Sequence, residues 1–164
     1  ASIEHKDPLY IRLTGGTNNP MVYQKDYNFQ IGKEVIVKEG DDVVIFATGT
    51  MVFESLEAAR ILDSSGISTK VVNIHTIKPF DNDVVKRVAS KVKLIVSVEE
   101  HSIIGGLGSC IAEAKTQLKN SPEQLVIGLP SEFINSGPYK DMLNSFGLTS
   151  EKIAEKILKK IKDV

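Results

Sequence analysis

Residues that staple or chelate are scarce in this chain. Cys110 is the one cysteine, so no disulfide can form within the chain. Such usage fits a reducing compartment, and a cytoplasmic location is expected. One Cys and three scattered His give no expectation of a structural zinc site. Neither sign of charge prevails: 20 Lys and Arg stand against 21 Asp and Glu, for a formal charge of -1. That balance gives no electrostatic footprint for nucleic acid or for an acidic membrane surface, and neither partner is expected. No apolar run approaches the roughly 20 residues of a membrane span. The first residues, Ala1-Ser-Ile-Glu-His-Lys6, have neither the basic start nor the apolar stretch of a signal peptide.

What is present is enough apolar residue, 41% of 164, for one domain with one sizeable core. Leu9-Tyr-Ile-Arg-Leu13 reads as a short buried strand. Thr14–Pro20 reads as a linker, because Gly, Asn and Pro punctuate structure. A chain that begins on Ala1 and enters a strand by Leu9 reads as one section of a longer polypeptide. Val35-Ile-Val37 is a second short strand, closed by a turn at Glu39–Asp42. Strand-length apolar runs then alternate with helix-period stretches. The runs are Val43–Ala47, Lys70–Ile74, Leu94–Val98 and Gln124–Gly128. The helices carry Val52, Leu56, Ala59 and Leu62, then Val84, Val85 and Val88 behind an Asp81 N-cap, then Ile111, Lys115 and Leu118, and last Ile153, Ile157, Leu158 and Ile161.

Runs that are apolar throughout are covered on both faces, and helical crossovers between them make a mostly parallel sheet. The turn at Glu39–Asp42 is too short for a crossover. The expectation is therefore that Val35–Val37 pairs antiparallel with Val43–Ala47. The fold class is α/β: a three-layer αβα sandwich on a five-stranded mixed sheet with one antiparallel strand.

Polar residues gather at the carboxyl ends of these strands, where open α/β sheets hold ligands. Glu99, Glu100 and His101 end the third run. Two acids and an imidazole there can do acid–base work, or serve as interface or solvated loop residues. Gly105, Gly106 and Gly108, in Gly105-Gly-Leu-Gly-Ser109, stand just before a helix. Their spacing is neither G-x-G-x-x-G nor a P-loop. Such a turn can hold an anion on helix N–H groups, or let a neighbouring chain pack closely. Thr48 or Thr50 caps the helix after the first run. His75 follows a strand end and reads as a structural histidine, and Cys110 as a buried spectator.

Several stretches resemble the transketolase family, in order and along essentially the whole chain. Asp7–Leu13 is similar to the last strand of the family's pyrimidine-binding domain. Phe29–Gly32, Val35–Gly40, Asp42–Gly49 and Met51–Val52 are similar to the start of its C-terminal domain. Thr76–Asp81, Glu99–Ser109, Ser136–Pro138 and Phe146–Thr149 complete the likeness, which is nearest to the C-terminal subunit of split transketolases. The resemblance implies residues 1–20 as tail strand and linker of a preceding pyrimidine-binding domain, and residues 21–164 as the transketolase C-terminal domain. It implies a parent transferase that moves a two-carbon ketol unit between sugar phosphates, using thiamine diphosphate and Mg²⁺ held by other domains. Nothing in this chain would then bind cofactor or catalyse alone. It would serve assembly and architecture, with the N-terminal and pyrimidine-binding portion as partner and a homodimer as the assembly. Gly15 departs from the family pattern: the resembling strand is followed there by an Arg that reaches the substrate phosphate. Arg12 remains as a candidate anion contact. Fragments of a deoxyxylulose-phosphate synthase or of a 2-oxoacid dehydrogenase E1 β subunit are alternatives within the same fold. A stand-alone dimerisation or regulatory module, binding a small anion at Gly105–Ser109, is an alternative of another class.

Overall fold

The computed structural model describes residues 1–14, 20–89 and 92–164. Ten elements follow in order: β1 (Val35–Lys38), β2 (Val43–Ala47), α1 (Met51–Ser64), β3 (Thr69–Asn73), α2 (Asn82–Ala89), β4 (Leu94–Ser102), α3 (Leu107–Lys115), β5 (Glu123–Leu129), α4 (Tyr139–Ser145) and α5 (Ser150–Ile161). They build one sheet of order β1-β3-β2-β4-β5, in which β2, β3, β4 and β5 run parallel and β1 antiparallel.

β2 is the middle strand, and all five of its residues are fully buried. Alternation sends Val43, Ile45 and Ala47 into a cluster with Met51, Leu62 and Ile157, under α1 and α5. Val44 and Phe46 enter the opposite cluster with Val85, Leu107 and Ile111, under α2 and α3. Both faces are therefore dry, which is what an apolar run without polar alternation requires. Removing a side chain such as Phe46 would destabilise the domain by about 3–5 kcal/mol.

The antiparallel pair is the place where the sequence pattern misleads. β1 pairs with β3, not with β2. The turn at Glu39–Asp42 steps over the start of β3, a distance of about two strand spacings, or roughly 10 Å, which four residues span easily. Gly40 makes the step possible. A Cβ there would lie 2.2 Å from the Thr69 carbonyl carbon. Shortness of a turn thus sets the antiparallel sense but not the neighbour.

The expected strand at Leu9–Leu13 is not formed. The segment has no regular secondary structure and is exposed, with Tyr10 and Leu13 largely in solvent. A strand needs a partner ladder, and no described strand lies against it. One element was not foreseen, the two-turn helix α4. It buries only Leu143, too little for a helical period to show. Asp81 caps α2 as expected, accepting the Asp83 N–H at 3.1 Å. The end of α1 is a Schellman motif: Gly66 at φ +81° donates to Asp63, and Ile67 donates to Leu62.

Candidate functional site

β4 carries the site. Leu94, Val96 and Val98 face α1 and α5, and Ile95 faces α3, so the pleat sets Glu99 toward α3 and Glu100 toward the opposite layer. Between Val98 and Ser102 the register with β5 shifts, and Glu99, Glu100 and His101 lie in that irregular stretch. Strand irregularities of this kind re-aim side chains.

Glu99 is 2% exposed. Its Oε2 accepts the Leu107 N–H at 2.7 Å, and its Oε1 accepts the Gly108 N–H at 2.8 Å. Both donors belong to the first turn of α3, where helix N–H groups have no intrahelical partner and the dipole favours negative charge. The carboxylate of the chain itself therefore fills the place an external anion would take. Glycine makes room for it. A Cβ on Gly106 would sit 2.0 Å from Glu99 Oε2. One on Gly108 would sit 2.8 Å from Val126 Cγ1, so α3 lies close on the sheet. Gly105 differs: its φ of +80° needs glycine, while the space around it is open. His101 is exposed, donates Nδ1–H to the Ser102 carbonyl at 2.9 Å, and lies 3.9 Å from Glu99 Oε2.

Glu100, on the other face, meets different chemistry. Its Oε2 accepts the Thr50 hydroxyl at 2.6 Å and the Tyr139 hydroxyl at 2.8 Å. Thr50 stands at the N-cap position of α1, but its hydroxyl is turned to Glu100 and does not cap. Nearby, Glu54 caps α5 by accepting the Ser150 N–H at 2.8 Å. A cavity of about 310 Å³ opens beside Glu100, walled by Leu129, Ile134, Met142, Leu143, Phe146 and Leu148. A wider depression of about 440 Å³ runs between α1 and α5 over Ile61 and Leu158, away from the strand ends.

Residues 32–153 match the family model described as transketolase, C-terminal domain. The chain belongs to the transketolase C-terminal domain family. A Methanocaldococcus jannaschii protein named as a transketolase C-terminal section is 38% identical over 161 residues, 97% of this chain and 50% of that protein. The 1-deoxy-D-xylulose-5-phosphate synthase of Caldanaerobacter subterraneus subsp. tengcongensis is 35% identical over 157 residues, 96% of this chain and 25% of that enzyme. A solved split gene transketolase, described as an inactive beta4 tetramer, superposes with a TM-score of 0.80 at 34% identity, over 87% of this chain and 46% of that one. The chain thus spans half or less of the length of these relatives.

The transketolase C-terminal domain places its other polar residues outside this cluster. Arg12 lies in the exposed N-terminal stretch, and among the described residues no hydrogen bond or ion pair joins it to the strand ends. Gly15 lies outside the described residues. His75 stacks on Phe29 with centroids 4.3 Å apart, and its Nδ1 lies 2.8 Å from Thr76 Oγ1. Its Nε2 is buried with no hydrogen-bond partner among the described residues, and burial holds the imidazole below its ordinary pKa, against a smaller opposing effect of the Lys33 backbone. Burial pushes the Cys110 thiol up, and Glu113 and Glu99 push the same way, so a thiolate is disfavoured. Among the described residues no group of three or more His, Cys, Asp or Glu is placed to hold a metal ion. No helix among them is long and apolar enough to cross a membrane. Tyr139 and Met142 come from α4, which carries no sequence signal, whereas Ser136, Phe146 and Leu148 lie in stretches that resemble the family without showing that they line a cavity. The signal for Glu99 was a strand-end acid facing a glycine-opened helix start.

Proposed function

We propose that this chain is the C-terminal portion of a thiamine-diphosphate-dependent, transketolase-type enzyme that moves a two-carbon ketol unit between sugars. It serves assembly and architecture there and is inactive alone. The observation that carries the reading is the use of Glu99. The most buried acid at the strand ends is committed to holding α3, and so is withdrawn from proton transfer. Cofactor chemistry then belongs to the N-terminal and pyrimidine-binding portion, fused or separate, which is the partner. Residues 1–20 act as the tail strand and linker of that portion, and residues 21–164 as the domain proper. The exposed apolar side chains of Leu9, Tyr10, Ile11 and Leu13 favour this division, because the described residues leave them uncovered. Ile104, 65% exposed, and Phe133 give the domain its own apolar surface for a homodimer, and the cytoplasm suits its single thiol. Calorimetric titration of the chain with thiamine diphosphate and Mg²⁺ tests the reading. No binding in the micromolar range and no ketol transfer are expected; micromolar binding by the chain alone would overturn it.

A further inference from the structure

Among the described residues, Glu100 serves neither a helix end nor a cation. Both donors that reach it, Thr50 and Tyr139, are neutral hydroxyls. Among the described residues, no Lys, Arg or His forms an ion pair with it, whereas Asp42, Asp63, Asp81, Glu34, Glu39 and Glu123 each have a cationic partner. Burial raises the Tyr139 phenol above its ordinary pKa, and the charge of Glu100 adds to this, so the hydroxyl stays a donor at neutral pH. A formal negative charge stands at the edge of a cavity whose other walls are mostly apolar, with Asn135, Ser136 and Tyr139 as its neutral polar residues.

The position of that cavity in the sheet is independent support. From β2 the chain moves through α1 to β3 on one side. From β3 it returns through α2 to β4 on the other side of β2, with α2 and α3 on the opposite face from α1. The winding direction thus reverses between β2 and β4. In open α/β sheets the crevice at the carboxyl ends of two such strands is where ligands bind. Thr50 follows β2 and Glu100 ends β4, so their hydrogen bond spans this reversal. Ser136 and Gly137 close one side of the cavity, and Gly137 backs onto Met142, whose sulfur would lie 3.2 Å from a Cβ there.

We infer that the cavity beside Glu100 is a binding site for a small organic cation, an ammonium or guanidinium group on a short apolar stem, with Glu100 as its counter-ion. The carboxylate selects cations and repels phosphates and carboxylates, and Glu54 adds to that repulsion. Met142, Phe146 and Leu148 receive the stem. The volume of about 310 Å³ lies at the small end of ligand pockets, which limits the stem to a few carbon atoms. Pairing a carboxylate with an ammonium or guanidinium is a charge-assisted bond, stronger than the hydroxyl bonds already present.

The probe is n-butylammonium, titrated into the chain and followed by backbone amide chemical shifts. Butan-1-ol and butyrate serve as neutral and anionic controls of the same shape. The amine is expected to shift Glu100, Ser136, Gly137, Met142 and Leu148. It should bind at least tenfold more tightly than butan-1-ol, while butyrate does not bind. Glu100→Gln should weaken it at least tenfold, and Glu132→Gln, on an exposed loop, should leave it unchanged. Met142→Lys places a tethered ammonium in the cavity and should abolish binding in a chain that remains folded. Equal affinity for amine and alcohol, an unchanged affinity in Glu100→Gln, or shifts spread over the acidic surface would each overturn the inference. The cation can be a free molecule or a basic side chain of a covering polypeptide. Prior addition of the N-terminal portion of the enzyme separates the two, and this arm alone rests on the function proposed above. Loss of amine binding assigns the site to a partner side chain and retention assigns it to a free amine; either result supports a cation site.

Discussion

Glu99 and Glu100 are the same residue type at consecutive positions of β4, yet they sit in unlike surroundings. The first is sealed under the first turn of α3 and bonded to two backbone N–H groups. The second stands beside a half-open cavity and is bonded to two side-chain hydroxyls. The pleat of the strand makes the difference, sending neighbours to opposite layers. Each layer then decides what its carboxylate does. Against a helix start the charge completes the fold. Against hydroxyls and apolar walls it remains free to meet something else. A pair of acids at a strand end is therefore not one site by virtue of adjacency.

The comparison breaks most visibly at Glu99. Glu99→Ala leaves two buried N–H groups without an acceptor and should reduce stability by about 3–4 kcal/mol in urea denaturation. Gly106→Ala comes next. Its methyl group would collide with Glu99 Oε2, and a loss of about 2 kcal/mol is expected. In a Glu99→Ala background the same change should be nearly neutral, because the obstacle is gone. Gly105→Ala should instead lose about 1 kcal/mol in either background, since its strain lies in a φ of +80° and not in its neighbours.

A third polar strand end sharpens the contrast through pH. Burial lowers the His75 pKa, so the folded chain binds fewer protons than the unfolded one as pH falls through the imidazole range. The stability is fully present above about 6.5 and is lost as pH falls through the lowered folded value. Denaturation midpoints should decline between pH 7.5 and 5.5, and His75→Phe should flatten that decline. The smallest effect belongs to Glu100→Gln. It keeps an acceptor for Thr50 and Tyr139 at a partly exposed site, and should change stability by about 0.5 kcal/mol or less.

The layered architecture was legible because the runs at Val43–Ala47 and Leu94–Val98 have no polar alternation, which leaves a doubly covered sheet as the consistent answer. The neighbour of β1 was not legible. It depends on Gly40 lying close over Thr69, a contact between residues far apart in the chain. The segment at Leu9–Leu13 has strand composition but no strand partner here, and composition does not say where a ladder lies. Glu99, Glu100 and the glycines could be singled out from sequence, but not their division of labour. That division comes from the pleat and the register shift between Val98 and Ser102. Ser136–Pro138 and Phe146–Thr149 could be singled out by resemblance, but not their meeting at one cavity, because α4 between them is too short to print a period and Tyr139 meets Glu100 only in three dimensions.

Amide hydrogen exchange at Leu107 and Gly108 tests the central claim most directly, because these are the two N–H groups that Glu99 is said to hold. In the native chain both amides should exchange slowly, as interior groups do, although first-turn helix amides have no intrahelical acceptor. Protection should collapse in Glu99→Gln, which offers one acceptor oxygen for two donors, and persist in Glu100→Gln. Rapid exchange of both amides in the native chain, or equal loss of protection in the two variants, would contradict the account.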